Sequence, residues 1–449
     1  MSANFSNTDK ATISSLSRSD IERTMAGLKP FLKRSMWIDT TNRYVNDVIA
    51  RLRESEPNSA THKRNLAQYI AASTCLHAND GWSYLGRAFA CLIAGDAHRA
   101  LHLGYYAELR AAMSLLAGNG IGVFNNKHFV VPSPNTTSRL RTGLSTHVVS
   151  WLALQHWSEL QDSGALFASI VRPFGFALSD WFEPRGGISA LAPQAKSWFL
   201  QWGMDLQFVT RDRDARNESS YRPDGIPSTW TTPPNDALAL MRDIWNLLEP
   251  SSASAFEKID QHMLRLAIEG HFQGITGKPP KPTEPAFVAM VDSLINAINV
   301  PPSAAERLRE FLLRQEIPED PLLFNYSATL PGNSYVDAFS VISRAVLLLR
   351  MATGAAHDLL LKVGIGSELL EFWWQKVGEA RGLWEYGSPP SSLSDLWADI
   401  EMSLDDVSAI EETNPELLNS NNQISFGLQG RLNVLSSHER VSLWGLCPA

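Results

Sequence analysis

The stretch "DAHRALHLGYYAELRAAMSLLAGNG", Asp96 to Gly120, decides the fold class. Leu101, Tyr105, Leu109, Ala112 and Leu116 recur at steps of three or four, which lines them up along one apolar stripe of an α-helix. Asp96 stands where a carboxylate can accept from the first unpaired helical amides, and Gly118, Asn119 and Gly120 end the segment. Helical periodicity of the same kind runs through most of the chain. "SYVDAFSVISRAVLLLRMATGAAHDLLLKVG", residues 334–364, is apolar on most sides and is expected to be the buried central helix of its domain. "PQAKSWFLQWGMDLQFVTRDRDARNESS", 193–220, reads as one long helix. The best strand candidate is "NNKHFVVPS", 125–133, and "NQISFGLQGRLNVL", 422–435, reads as a terminal hairpin around Gly427 and Gly430. The expectation is a mainly α protein, built of multi-helix bundles with at most a few short strands.

At 449 residues the chain is long for a single core. Pro223, Pro227, Pro233 and Pro234 mark the best boundary. Residues 1–17, rich in Ser, Thr and Asn, are expected to form a disordered arm, followed by a basic helical domain over 18–225 and an acidic one over 226–449. The charge supports the split: residues 1–234 carry 24 Lys and Arg against 19 Asp and Glu, and residues 235–449 carry 15 against 28, within a net charge of -8. A basic half is compatible with phosphate contacts, whereas the acidic half disfavours broad DNA binding. Mutual attraction of the halves, or a protein partner or second copy, explains the asymmetry equally well.

The three cysteines, Cys75, Cys91 and Cys447, form no CxxC pair, so neither a disulfide framework nor a cysteine-based zinc site is indicated. The N-terminus lacks the apolar core of a signal peptide, and no apolar run reads as long enough to span a bilayer; a cytoplasmic protein without membrane contact is expected. Phosphate-binding loops, dinucleotide fingerprints and the HExxH and GxSxG motifs are absent, and no cofactor or metal is implied.

The polar candidate is "DRDARNESSYRPDG", Asp212 to Gly225. On a helix, Arg216 and Ser220 share a face, Asn217 lies beside them and Tyr221 falls about 140° round. Arg216 offers a planar fork for phosphate or carboxylate; Tyr221 can donate a hydrogen bond but is a poor base near neutral pH. An Arg/Asp salt-bridge network at a helix end is the plainer reading. Four Arg–His pairs have the spacing of a metal-free ribonuclease site, of which Arg141–His147 lies in the basic half; His128, beside the expected strand, reads first as a structural hydrogen-bonder.

Two segments together resemble the HEPN superfamily of small helical bundles found in prokaryotic toxins and phage-defence proteins. "HLGYYAELRAAMSLLAGNGIGVFNNKHF", from His102, is similar to an early core helix of that family, and "RNESSY", from Arg216, is similar to its RNxxxH motif. The resemblance covers about residues 80–225. It implies an antiviral defence or stress component that binds or cleaves RNA without a metal. Arg216 and Asn217 then match the conserved polar pair, Tyr221 stands where the family has its proton-transfer histidine, and a histidine from elsewhere, His147 or His128, has to move the proton. The alternative expectation is a non-catalytic helical adaptor within a protein complex.

Overall fold

Ile342, Val346, Leu349, Met351 and Leu360 lie on different sides of one helix, Ala338–Lys362, and each is at most 1% exposed. A helix apolar all round needs neighbours on every side. The computed structural model describes residues 4–161, 163–192, 194–221, 234–251, 254–298, 300–328, 336–416 and 420–447. It divides into two compact units, and neither is one continuous stretch. The first is built from Met1–Trp157, Val209–Leu238 and Val336–Ala449, the second from Ser158–Phe208 and Ala239–Tyr335.

The first unit contains helices α1 (Asn7–Ser14), α2 (Arg18–Ala26), α3 (Ala60–Ile93) and α4 (Ala97–Ala117), strands β1 (Ile121–Phe124), β2 (Lys127–Ser133) and β3 (Thr136–Arg139), and helices α5 (Thr146–Ser158), α6 (Val209–Tyr221), α7 (Ala338–Lys362) and α8 (Glu439–Leu446), with shorter helices between. The long hairpin of α3 and α4 turns at Gly95, whose φ of +82° suits a residue without Cβ. Asp96 caps α4 as expected, accepting from Arg99 N at 3.0 Å. The hairpin packs against α7, and α8 closes over α3 and α7. Trp82 on α3 donates to Thr353 Oγ1 on α7 at 2.9 Å, which satisfies a buried indole. The strands form an antiparallel sheet in the order β1-β2-β3, and the expected strand is β2.

The second unit is also helical. Its core gathers Phe167, Trp198, Phe199 and Trp202, whose rings lie 5.0–6.2 Å apart where they touch. The fold is therefore mainly α, with one small sheet among the described residues.

Several local expectations are corrected. The consecutive division at 225/226 is not the one the chain adopts: α7, expected at the centre of an acidic second domain, is the core of the same unit as α3 and α4. The expected boundary itself falls outside the described residues. Residues 7–14 are helical rather than a disordered arm. Ser6 caps α1, Phe5 and Ile13 are buried, and Asp9 accepts from Arg141 N at 2.7 Å. Residues 421–435 form two short helices, Asn421–Gly427 and Gln429–Leu435, not a hairpin. The long helix read over 193–220 is broken: Ala195–Gln201 stops before Gly203, at φ +83°, and α6 begins at Val209. By length and composition α7 is the one described helix that is apolar enough to cross a membrane, contrary to the expectation, and 89% of that apolar window is buried within the protein.

Candidate functional site

Helix α6 carries almost no apolar surface; of its residues only Val209 and Asp212 are buried. It is held in the first unit by charge. Arg344 on α7 donates to Asp212 through both arms of its fork, Nε to Oδ2 at 2.8 Å and Nη2 to Oδ1 at 2.6 Å. Glu108 on α4 sits 3.6 Å from the same guanidinium. Two buried carboxylates thus share one cation. Burial and the neighbouring Asp212 charge push Glu108 well above the usual carboxylate range, and burial raises Asp212 against the pull of Arg344.

One turn beyond Asp212, Arg216 lies against α4 and α5. Its Cζ is 5.2 Å from the Tyr105 ring centre and 5.6 Å from that of Tyr106. Nη2 is 3.4 Å from His147 Nε2 and 3.5 Å from His147 Nδ1. Among the described residues no carboxylate pairs with Arg216, and its Nε is buried without a hydrogen-bond partner. Arg213, nearby on the same helix, is by contrast taken by Asp214 at 2.9 Å.

Hydrogen bonding fixes where the protons sit. Trp151 Nε1, which can only donate, reaches Tyr105 Oη at 3.2 Å. Tyr105 Oη lies 3.1 Å from His147 Nδ1, where either group can donate, while Arg216 Nη2, which can only donate, needs a lone pair on the His147 nitrogen it meets. The protons of His102 are set more tightly. Ser220 Oγ gives its proton to the carbonyl of Arg216 at 2.9 Å. Towards His102 Nδ1, 2.9 Å away, it can then only accept, so His102 bears its proton on Nδ1 and a lone pair on Nε2. Burial first, then Arg216, lowers the pKa of both histidines, which keeps both rings neutral at pH 7. The Arg216 guanidinium therefore lies against the neutral His147 ring and carries no carboxylate partner among the described residues, with the basic Nε2 of His102 on the neighbouring helix α4. This combination suits an anion and a proton transfer beside it.

Of the residues singled out in the sequence, Arg216 and His147 come together. Asn217 is half-buried and makes no side-chain hydrogen bond among the described residues. Tyr221, at the motif's histidine position, is 84% exposed. His128 is fully buried, with Nδ1 accepting from Phe124 N at 3.3 Å and Nε2 donating to Leu144 O at 2.8 Å, so neither nitrogen is available for proton transfer. Among the described residues no hydrogen bond joins Arg141 to His147; the guanidinium beside that ring is Arg216. Sequence reading missed His98 and His102, both of which meet the end of α6, His98 Nδ1 lying 3.2 Å from Ser219 O. Their signal was present: positions 98, 102 and 105 follow helical spacing on one face of α4. Among the described residues no three His, Cys, Asp or Glu side chains gather as metal ligands. No family model, no curated protein and no solved structure matches the chain, so any kinship rests on the residues themselves.

Proposed function

We propose that the first unit binds the phosphate backbone of RNA at Arg216 and cleaves it, with His102 and His147 moving the protons. One observation carries this reading: a guanidinium without a carboxylate partner among the described residues, set against His147 and two tyrosine rings. A cation left unneutralised beside neutral imidazoles is a place for an anion. In the proposed reaction His102 Nε2 takes the proton of a ribose 2′-hydroxyl, and the 2′-oxygen forms a bond to phosphorus. The bond from phosphorus to the 5′-oxygen breaks, and that oxygen leaves with a proton from the His147 imidazolium. The incoming phosphate favours that imidazolium, because its negative charge opposes the effect of Arg216 on the ring. Arg216 holds the non-bridging oxygens as charge builds on them. The products are a 2′,3′-cyclic phosphate and a 5′-hydroxyl.

The HEPN resemblance supports the same chemistry with one difference: the proton donor comes from α5 and not from the motif's last position. A cytoplasmic role in prokaryotic defence or stress response belongs to the same proposal. The test is cleavage of labelled RNA by the full chain and by Arg216→Ala, His102→Ala and His147→Ala, each checked for folding by circular dichroism. Loss of about 10²-fold or more in each variant is expected. Undiminished cleavage by folded Arg216→Ala, or no cleavage by the unaltered protein, rejects the catalytic reading and favours a helical adaptor.

A further inference from the structure

The second unit holds a cleft of about 920 Å³, walled by the rings of Phe174 and Phe311 together with Leu247 and Leu308. At the back of this cleft is His262, 8% exposed. The fully buried Arg265 donates to its Nδ1 at 3.2 Å, and donates further to the carbonyls of Ile317 at 2.7 Å and Glu319 at 2.9 Å and to Asp320 Oδ1 at 2.9 Å. A guanidinium only donates, so Nδ1 accepts and the ring proton is on Nε2. No hydrogen bond joins that Nε2–H to a described residue, and His262 lines the cleft. Burial and Arg265 hold the His262 pKa down to about 3, so the ring stays a neutral donor. A ligand carbonyl in the cleft can take that proton in place of water, with the ring held in one orientation by Arg265.

The rim has the opposite need. Asp243, Glu257, Glu316, Glu319 and Asp320 line the cleft, against the cations Lys258 and Arg307. Most of these are already occupied. Asp320 is bound by Arg265 and Arg314, Lys258 by Glu249, Glu257 by Ser251, and Asp243 accepts from Leu323 N at 3.0 Å. Glu316, Glu319 and the cation Arg307 have no described side-chain partner, which leaves the unpaired rim with one net negative charge. Phe174 adds a third observation. It holds φ at +55°, a left-handed conformation that costs free energy in a bulky residue and that clusters at ligand-binding positions.

We propose that this cleft binds a small organic cation with an aromatic body, an ammonium group at the Glu316 and Glu319 rim, and a carbonyl oxygen that accepts from His262 Nε2. The site is separate from Arg216 and does not depend on the reading given above. Three probes dissect it in calorimetric titrations of the full chain: L-phenylalaninamide has all three features, N-acetyl-L-phenylalaninamide lacks the cation, and phenethylamine lacks the carbonyl. L-Phenylalaninamide is expected to bind saturably, and each of the others about tenfold more weakly, the loss expected for one charge-assisted or buried hydrogen bond. The double substitution Glu316→Gln with Glu319→Gln, on the exposed rim, is expected to bring L-phenylalaninamide down to the affinity of its acetylated form. His262→Leu, which removes the donor, is expected to erase its advantage over phenethylamine. Equal affinity for all three probes, no saturable binding by any, or full affinity in the rim variant overturns the proposal.

Discussion

Replacing Arg344 by Met tests what holds the candidate site together. Arg344 is 7% exposed, Asp212 is 2% exposed and Glu108 is fully buried. The substitution keeps the length and most of the apolar stem but removes the only cation that an ion pair ties to either carboxylate among the described residues. Two acids then remain buried without a counter-charge, and both have to take up protons or draw in water. Breaking a buried pair in this way costs about 3–5 kcal/mol, far more than the pair's own net contribution. For a unit of this size that lowers the melting temperature by roughly 5–8 °C, as differential scanning calorimetry would read it. The companion variant Asp212→Asn is expected to lose much less, because Glu108, already 3.6 Å from the guanidinium, ionises and takes over the pairing. The order matters more than either value. If Arg344→Met melts within about 2 °C of the parent, or if Asp212→Asn is the more damaging change, the two acids are not sharing one cation and the reasoning fails.

Three further changes have defined outcomes. Gly86→Ala sets a Cβ against the Ser436 carbonyl, part of a backbone that cannot swing aside, and is expected to cost about 1–3 kcal/mol in urea unfolding; an unchanged midpoint would mean that the contact between α3 and the turn before α8 is loose. Trp151→Phe removes the donor to Tyr105 Oη and is expected to cost about 1 kcal/mol in urea unfolding; an unchanged midpoint would mean that this indole–phenol bond contributes nothing. His77 accepts from Arg110 Nη1 at 2.9 Å, and burial, then Arg110, lowers its pKa to about 3. The unfolded chain therefore binds that proton first, and stability falls as pH drops from about 6.5 towards 3; His77→Gln should flatten the acid limb of a stability–pH curve across that window and leave it unchanged above.

Helix α4 and its caps were legible because amphipathic spacing and end signals agree, and α7 because a segment apolar on all sides has few other places to go. The strand β2 was legible from its β-branched run. The breaks were harder. Over 193–220 the polar and apolar residues are compatible with continuous helix, and the stop comes from Gly203 turning left-handed, which composition does not dictate. The arm at residues 4–17 looks too polar to fold alone; it orders because Phe5 and Ile13 find a core supplied by later segments and Asp9 finds the Arg141 amide. The site divides in the same way. The Arg216 face of α6 and the His102–Tyr105 face of α4 follow from local periodicity, but the meeting of Arg216 with His147, 69 positions apart, does not. Two segments so distant in sequence are joined only by tertiary packing, and the carboxylates and arginine beneath them come from three different helices.

The interleaving of segments has a consequence for biosynthesis. The first unit cannot close until α7 leaves the ribosome, yet both stretches that make up the second unit lie before it in the chain. At ordinary elongation rates of about 5–20 residues per second, the α3–α4 hairpin waits roughly 12–50 s with its α7-facing side bare. During that interval Asp212 has been made and Arg344 has not, so α6 lacks its anchor. A nascent chain therefore carries every residue of the Arg216 group before it has the means to hold them in place, and a product truncated ahead of Ala338 never assembles them. If the Arg216 group does cut RNA, the order of translation keeps it harmless to its own message until α7 has been made.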